Sequence, residues 1–237
     1  MDIHSSHKKA RHYIEKHSKE SAEVILKKRK LNPGPTITIS RETGLGAEQI
    51  CEKLVEFFEK HRNSDDNEWA YFDKELIDKV IEDHNLPPHF HKFFTEEHPK
   101  QFEAMFGQLL GVTPSKILLL KKVSQTVYQL GEYGNVIIVG RGANIITSDL
   151  RNAFHVRLVA PLNFRIEKAM HLYHHNRKAT ADFIKKEDKK RKQFIKVYFH
   201  RNIDDPLLYH LVINANLLSS EEIADMIGNC VLKKFKK

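Results

Sequence analysis

Residues 35–54, PTITISRETGLGAEQICEKL, decide how this chain folds. Thr36-Ile37-Thr38-Ile39 is a β-branched run, which suits a pleated strand better than a helix. It stops at a loop carrying Gly44 and Gly46. Apolar residues then return at helical spacing, at Ile50, Leu54, Phe57 and Phe58. A strand, a glycine loop and a helix in that order leave the first N–H groups of the helix unpaired at the positive end of its dipole. That is a shape made for phosphate. The candidate contacts are Ser40, Arg41, Thr43, Gly44, Leu45, Gly46, Ala47, Glu48 and Gln49. In the pattern G-x-x-x-x-G-K-[ST], a lysine follows the second glycine and a hydroxyl residue comes next. Here Ala47, Glu48 and Gln49 occupy that stretch, so the usual cation and hydroxyl are missing.

Outward from this stretch the chain alternates. Ala70-Tyr71-Phe72 reads as a short strand, Val136 to Val139 as a continuous apolar strand, Phe154 to Ala160 as another and Tyr209 to Asn214 as the last. Helical patterns lie between them, at about 46–60, 74–82, 115–131 and 162–173, and Gly131 is expected to end the third. A fully apolar run such as 136–139 suits a central parallel strand covered on both faces. Ser219-Ser220-Glu221-Glu222 is a capping box opening a final helix. The expected architecture is α/β, a doubly wound parallel sheet of about five strands. Additions are expected around it. Residues 1–34 form a basic helical extension and linker broken at Asn32-Pro33-Gly34-Pro35. The domain proper runs over 35–237. It carries a phenylalanine-rich helical insertion at about 74–114 and a highly charged lid at about 174–205.

The net charge of +8 sits in the two ends. Residues 1–31 hold nine Lys/Arg against four Asp/Glu, and the tail is Lys233-Lys234-Phe235-Lys236-Lys237, which leaves the body close to neutral. A nucleic-acid face on the fold itself would need basic residues there. The ends remain free to touch RNA, DNA or an anionic membrane, in which case binding would depend steeply on salt. Cys51 and Cys230 lie in apolar helical patterns and are expected as buried free thiols in a reducing compartment. No leader-like apolar segment opens the sequence and no apolar run nears ~18 residues, so no membrane span and a cytoplasmic location are expected.

Ligands of open parallel sheets bind beyond the carboxyl ends of the strands. Those ends carry Ser40-Arg41-Glu42, Asp73, Gly140-Arg141-Gly142-Ala143-Asn144 and Asn214. Two arginines, an aspartate and a glycine loop can converge there, and arginine forks match phosphate oxygens. The basic segment 177–192 can close over them. Histidines 171, 174 and 175 share helical spacing and His84, His89, His91 and His98 are scattered. Neither set has the companions a metal site needs, so no metal ligand is expected.

The segments ITISRETGLGAEQI, YFDKELID, VIIVGRGANII and DDPLLYHLVINANLLSSEEI, in this order, resemble the cytidylate-kinase-like family of nucleoside monophosphate kinases over roughly residues 36–230. The resemblance implies transfer of the γ-phosphoryl group of ATP to CMP or a similar monophosphate, with Mg²⁺. It places donor phosphates on the Gly44–Gly46 loop. It places the acceptor on Asp73, Lys79, Gly140, Arg141, Gly142 and Asn144. Arg41, Arg141, Asp188 and Arg191 become the catalytic set, with Asp188 and Arg191 keeping the D-x-x-R spacing of a lid. Gly142 stands where the cytidylate kinases proper have an aspartate. Arg41, Lys185, Lys186, Lys189 and Arg191 are the residues expected to replace the absent loop lysine. The alternative is a catalytically weak or inactive nucleotide-sensing module. Either form leaves a second copy of the chain or another protein as a partner for the N-terminal helix.

Overall fold

The computed structural model describes residues 33–62, 68–73, 114–173 and 176–235. The expected N-terminal helix, the 74–82 helix, Lys79, the phenylalanine-rich insertion, His174 and His175 lie outside the described residues. Five strands are present: β1 (Thr36–Arg41), β2 (Ala70–Phe72), β3 (Val136–Val139), β4 (Ala153–Val159) and β5 (Leu211–Asn214). They form one sheet in the order β2-β3-β1-β4-β5, and every pairing is parallel. The helices are α1 (Ala47–His61), α2 (Pro114–Tyr133), α3 (Ala143–Ile146), α4 (Leu162–Tyr173), α5 (Arg177–Phe199) and α6 (Ser220–Phe235).

Alternation along the strands sorts their side chains to two faces. On one face Phe72, Val136 and Ile138 meet Leu120, Val123, Val127 and Leu130 of α2 and Ile195 and Phe199 of α5. On the other face Ile37, Ile39, Val156 and Leu158 meet Ile50, Leu54 and Phe58 of α1 and Ile223, Ile227 and Val231 of α6. With helices on both sides, the inner strands carry no solvent-facing positions, which is why 136–139 is apolar throughout. The polar residues of β1 turn towards the α2 face and each has a partner there. Thr36 Oγ1 donates to the Gly131 carbonyl at 2.7 Å, and Thr38 Oγ1 is hydrogen-bonded to His155 Nδ1 at 2.8 Å.

Two local expectations change. Gly131 stays inside α2, its carbonyl taken by Thr36 and by Asn152 Nδ2; the helix instead stops at Gly134, which has φ +74°. Cys51 is buried, and burial drives its thiol pKa far up, but Cys230 is exposed, because it falls on the solvent side of α6 between the inward Ile227 and Val231. The charged segment from 177 is one 23-residue helix, capped by the Asn176 side chain, which accepts from the Ala179 N–H. The capping box forms as read, with Ser219 N–H donating to Glu222 Oε2 and Glu222 N–H to Ser219 Oγ.

Gly134 meets the Gly34 backbone so closely that a Cβ there would lie 2.1 Å from the Gly34 oxygen, whereas a Cβ on Gly131 meets only side-chain atoms of Leu150 and Thr147. Gly134→Ala therefore lowers unfolding stability by at least ~2 kcal/mol, and Gly131→Ala changes it by less than ~1 kcal/mol, as read from urea denaturation. His155 is pushed down to about 4 by burial, helped by the neighbouring His210 and Lys234. The unfolded chain thus binds a proton near pH 6.5 that the folded chain refuses. Stability is full above that pH and falls as the medium is acidified towards pH 4. The loss from this group at pH 5 is about 2 kcal/mol, and His155→Gln flattens that stretch of the pH–stability curve.

Candidate functional site

A cavity of about 290 Å³ opens beyond the carboxyl ends of β1 and β3. That is close to the lower end of ordinary small-molecule sites, ~300–1,000 Å³. Ser40 and Arg41 enter it from β1, and Gly140, Arg141, Gly142 and Asn144 from the turn between β3 and α3. One face of α5 closes it. Glu187, Lys190, Arg191, Phe194 and Ile195 recur at helical spacing along that face, so a charged outer end grades into an apolar inner wall.

Local backbone makes this arrangement possible. Gly140, Arg141 and Gly142 have φ of +82°, +55° and +72°. For the two glycines this is an easy conformation; for arginine it is a strained one, of the kind that gathers at ligand sites. Gly140 is needed for space as well, because a Cβ there would stand 2.4 Å from Arg41 Nη1. At Gly142 it would meet the Phe199 ring at 2.5 Å. The aspartate of the related motif has no room at Gly142 in this packing.

The electrostatics favour an anion. Arg41 is lowered to about 10, first by burial and then by the charge of Arg191, with Arg141 adding to it; Asp73, at the end of β2, pulls the other way. No described residue accepts a hydrogen bond from the Arg41 guanidinium. Asn144 is 7% exposed and its Nδ2 has no hydrogen-bond partner among the described residues. An unsatisfied buried donor costs about 1–3 kcal/mol, so a ligand oxygen at this position recovers that loss.

The glycine loop lies beside the cavity and does not line it. Thr43, Gly44 and Leu45 are buried, Glu48 and Gln49 are exposed. Asp188 of α5 holds the loop. Its Oδ1 accepts from the Thr43 N–H at 2.8 Å and from Thr43 Oγ1 at 2.6 Å, and its Oδ2 accepts from Arg165 Nη1 at 2.7 Å. Arg191 Nη2 donates to the same Thr43 hydroxyl. So the D-x-x-R pair divides its work: Asp188 faces the loop, and Arg191 joins loop to cavity. The N–H groups of Gly44, Leu45, Gly46 and Ala47 enter no hydrogen bond among the described residues, and Gly46, the N-cap of α1, offers no side-chain acceptor.

Three cations near the site lay outside the sequence-based set. Arg157 of β4 is buried, with Nη1 donating to Ser40 Oγ and Nη2 to Asp204, which also pairs with Lys192 of α5. Arg165 of α4 gives its Nε to the Ala160 carbonyl and its Nη1 to the Thr43 carbonyl, while Glu42 stands 3.3 Å from its Nε. Lys168 lies one turn further along α4, against Gly46. Only their places, Arg157 within β4 and Arg165 and Lys168 on the helix after it, could have hinted at them. Lys185, Lys186 and Lys189, expected as replacements for the loop lysine, point outward from α5 as exposed residues. No group of three His, Cys, Asp or Glu that could hold a metal occurs among the described residues, and exposed Gln49 stands in the hydroxyl slot, so these side chains do not make a magnesium site of their own. No described helix is long and apolar enough to cross a membrane.

This geometry can be set beside known proteins. A solved structure of an uncharacterized protein from Eubacterium ventriosum shares 21% identity, covering 84% of this chain and 98% of that one with a TM-score of 0.66, which speaks for the fold alone. Shikimate kinase from Bacteroides thetaiotaomicron aligns more loosely, at 14% identity over 84% of this chain and 96% of its own, with a TM-score of 0.45. A curated uronate isomerase of Corynebacterium glutamicum is 25% identical over 99 residues, which is 42% of this chain and only 19% of the isomerase. The model of the cytidylate kinase-like family matches residues 36–217, a span that takes in all five strands, the cavity and α5. The chain belongs to the cytidylate kinase-like family and is a kinase-like protein of the nucleotide-binding type.

Proposed function

We propose that this protein transfers the γ-phosphoryl group of ATP to CMP or a similar nucleoside monophosphate. One observation carries the reading: Arg41, Arg141 and Arg191 converge on a single cavity at the carboxyl edge of β1 and β3, next to a loop with a row of donor N–H groups. Three guanidiniums held so close repel one another, and a phosphate is the ligand that relieves this. The acceptor's phosphate sits among them, and Asn144 Nδ2 gives an acceptor oxygen the hydrogen bond it lacks at present. Phe194 and Ile195 supply an apolar wall for the base or sugar. The donor's phosphates lie on the N–H groups of Gly44 to Ala47, at the start of α1.

Transfer then needs little covalent help from the protein. An oxygen of the acceptor phosphate forms a bond to the γ-phosphorus, the bond to the β–γ bridging oxygen breaks, and that oxygen leaves on ADP. The protein holds the two in line and stabilises the charge that develops between them. Arg191 is suited to this because it reaches both Thr43 of the loop and the cavity. Magnesium is assigned to the nucleotide phosphates, since the described residues offer it no ligand set, and no step is routed through it.

Purified protein with ATP, Mg²⁺ and a panel of nucleoside monophosphates is expected to form ADP and the matching diphosphate in a coupled assay. No ADP above background with any of them would remove the kinase reading, and nucleotide binding without turnover would put a sensing module in its place. In the active protein, Arg141→Ala is expected to lower kcat/KM for the acceptor by ~10²–10³-fold while the KM for ATP stays within a few-fold. Asn144→Ala is expected to raise the acceptor KM ~10-fold, the worth of one hydrogen bond.

A further inference from the structure

Ala47 leaves the glycine loop without its lysine, and the fold brings another one to it from more than a hundred residues away. Helix α4 lies along the loop. Arg165 and Lys168, three positions apart, share the face that meets it. They are used differently. Arg165 is buried and commits its nitrogens to Ala160, Thr43, Glu42 and Asp188. Lys168 meets Gly46, where a Cβ would stand 3.1 Å from its Cε and 3.5 Å from its Nζ. No described residue forms an ion pair or a hydrogen bond with its ammonium. Burial alone lowers its pKa from the ordinary value, with no neighbouring carboxylate to raise it.

That placement is unfavourable by itself. An ammonium near the first turn of a 15-residue helix opposes the positive end of the dipole. It also stands next to the N–H groups of Gly44 to Ala47, which are donors as well. These N–H groups and the ammonium form no hydrogen bond or ion pair among the described residues, although Gln49 Oε1 and the Arg165 carbonyl stand near the loop, and an anion that brings several oxygens at once satisfies them together. A di- or triphosphate chain does so and a single carboxylate does not.

We propose that Lys168 is the cation of the donor site, reaching from α4 across Gly46 to the nucleotide phosphates in place of the lysine absent at Ala47. The assignment rests on the phosphotransferase reading of the loop. In the transfer step the ammonium neutralises charge gathering on the β–γ bridging oxygen as its bond to the γ-phosphorus breaks. Because no described residue pairs with the Lys168 ammonium, removing its charge costs the donor complex and spares the fold.

The test uses the full-length protein with Lys168→Met and Lys168→Arg. Both are checked by thermal melting and titrated calorimetrically with ATP and, separately, with CMP. Lys168→Met is expected to melt no lower than the parent, to lose ~30-fold or more in ATP affinity and ~10²–10³-fold in turnover, and to keep its CMP affinity within twofold. Lys168→Arg is expected to regain part of the ATP affinity. If the parent transfers phosphate and Lys168→Met keeps its kcat and its KM for ATP within threefold, the assignment is overturned and the kinase reading stands. If the parent transfers phosphate to nothing, that reading falls, and the ATP titration still decides on Lys168: weakened binding upholds the residue and equal binding overturns it. A parent that does not bind ATP removes both. A Lys168→Met protein that fails to fold also overturns the assignment, since the ammonium would then have a structural task.

Discussion

β1 has a strand on each side and a helical layer on each face, so Thr36 to Ser40 are buried, with only the cavity at the strand's end beside them. This confinement governs the molecule. A buried polar group without a partner is costly, so each hydroxyl of β1 must be met by something specific. Thr36 is met by the last turns of α2, Thr38 by His155, and Ser40 by Arg157. These bonds fix the register of β1 against the elements around it. They also carry the strand to a defined end, where Arg41 leaves the sheet beside the turn after β3. The cavity exists because two neighbouring strands stop there together and their glycines leave no side chains in the way.

The second level of order is the attachment of α5. Ile195 and Phe199 bury themselves against the α2 face, and Ile184 packs against Ile166 and Ala169 of α4. Between these two apolar anchors Asp188 takes three hydrogen bonds, two from Thr43 and one from Arg165. Arg165 is 8% exposed at its side chain and Asp188 18%. An ion pair that far from water gains little net energy over an apolar contact, but breaking it is expensive, so its main effect is to fix geometry. Here it fixes the distance between α5 and the glycine loop. Arg191, one turn on, is thereby delivered to the cavity.

Charge is distributed to match. The body is close to neutral overall, yet several of its buried or half-buried cations gather where β1 and β3 end. Those with structural work, Arg157 and Arg165, have carboxylate and carbonyl partners. Arg41, which Asp73 only attracts from the end of β2, and Lys168 form no hydrogen bond or salt bridge among the described residues, and both have pKa values lowered by burial. A protein can keep a cation in such a position at modest cost only while its stability elsewhere is ample, and the two-faced core supplies that.

Local chemistry settled much of this in the sequence itself. The β-branched run, the paired glycines and the helical apolar period of residues 35–54 depend only on neighbours a few positions away, and so does the capping box at Ser219. The apolar run 136–139 likewise announced a strand covered on both sides, and Ser40, Arg41, Gly140, Arg141, Gly142 and Asn144 announced themselves as strand-end residues that now line one cavity. What no local pattern carries is which side chains meet across the sheet. Gly131 and Gly134 look alike in sequence, and only the approach of Gly34 makes the second one the stop. Cys51 and Cys230 both sit in apolar periods, and only helix packing puts one inside and one out. Arg165 and Lys168 are ordinary members of a charged helix until tertiary structure lays that helix on a loop formed about 120 residues earlier. Secondary structure and strand ends follow from short-range sterics and periodicity, whereas the supply of cations to the loop follows from long-range packing, which a single sequence does not spell out.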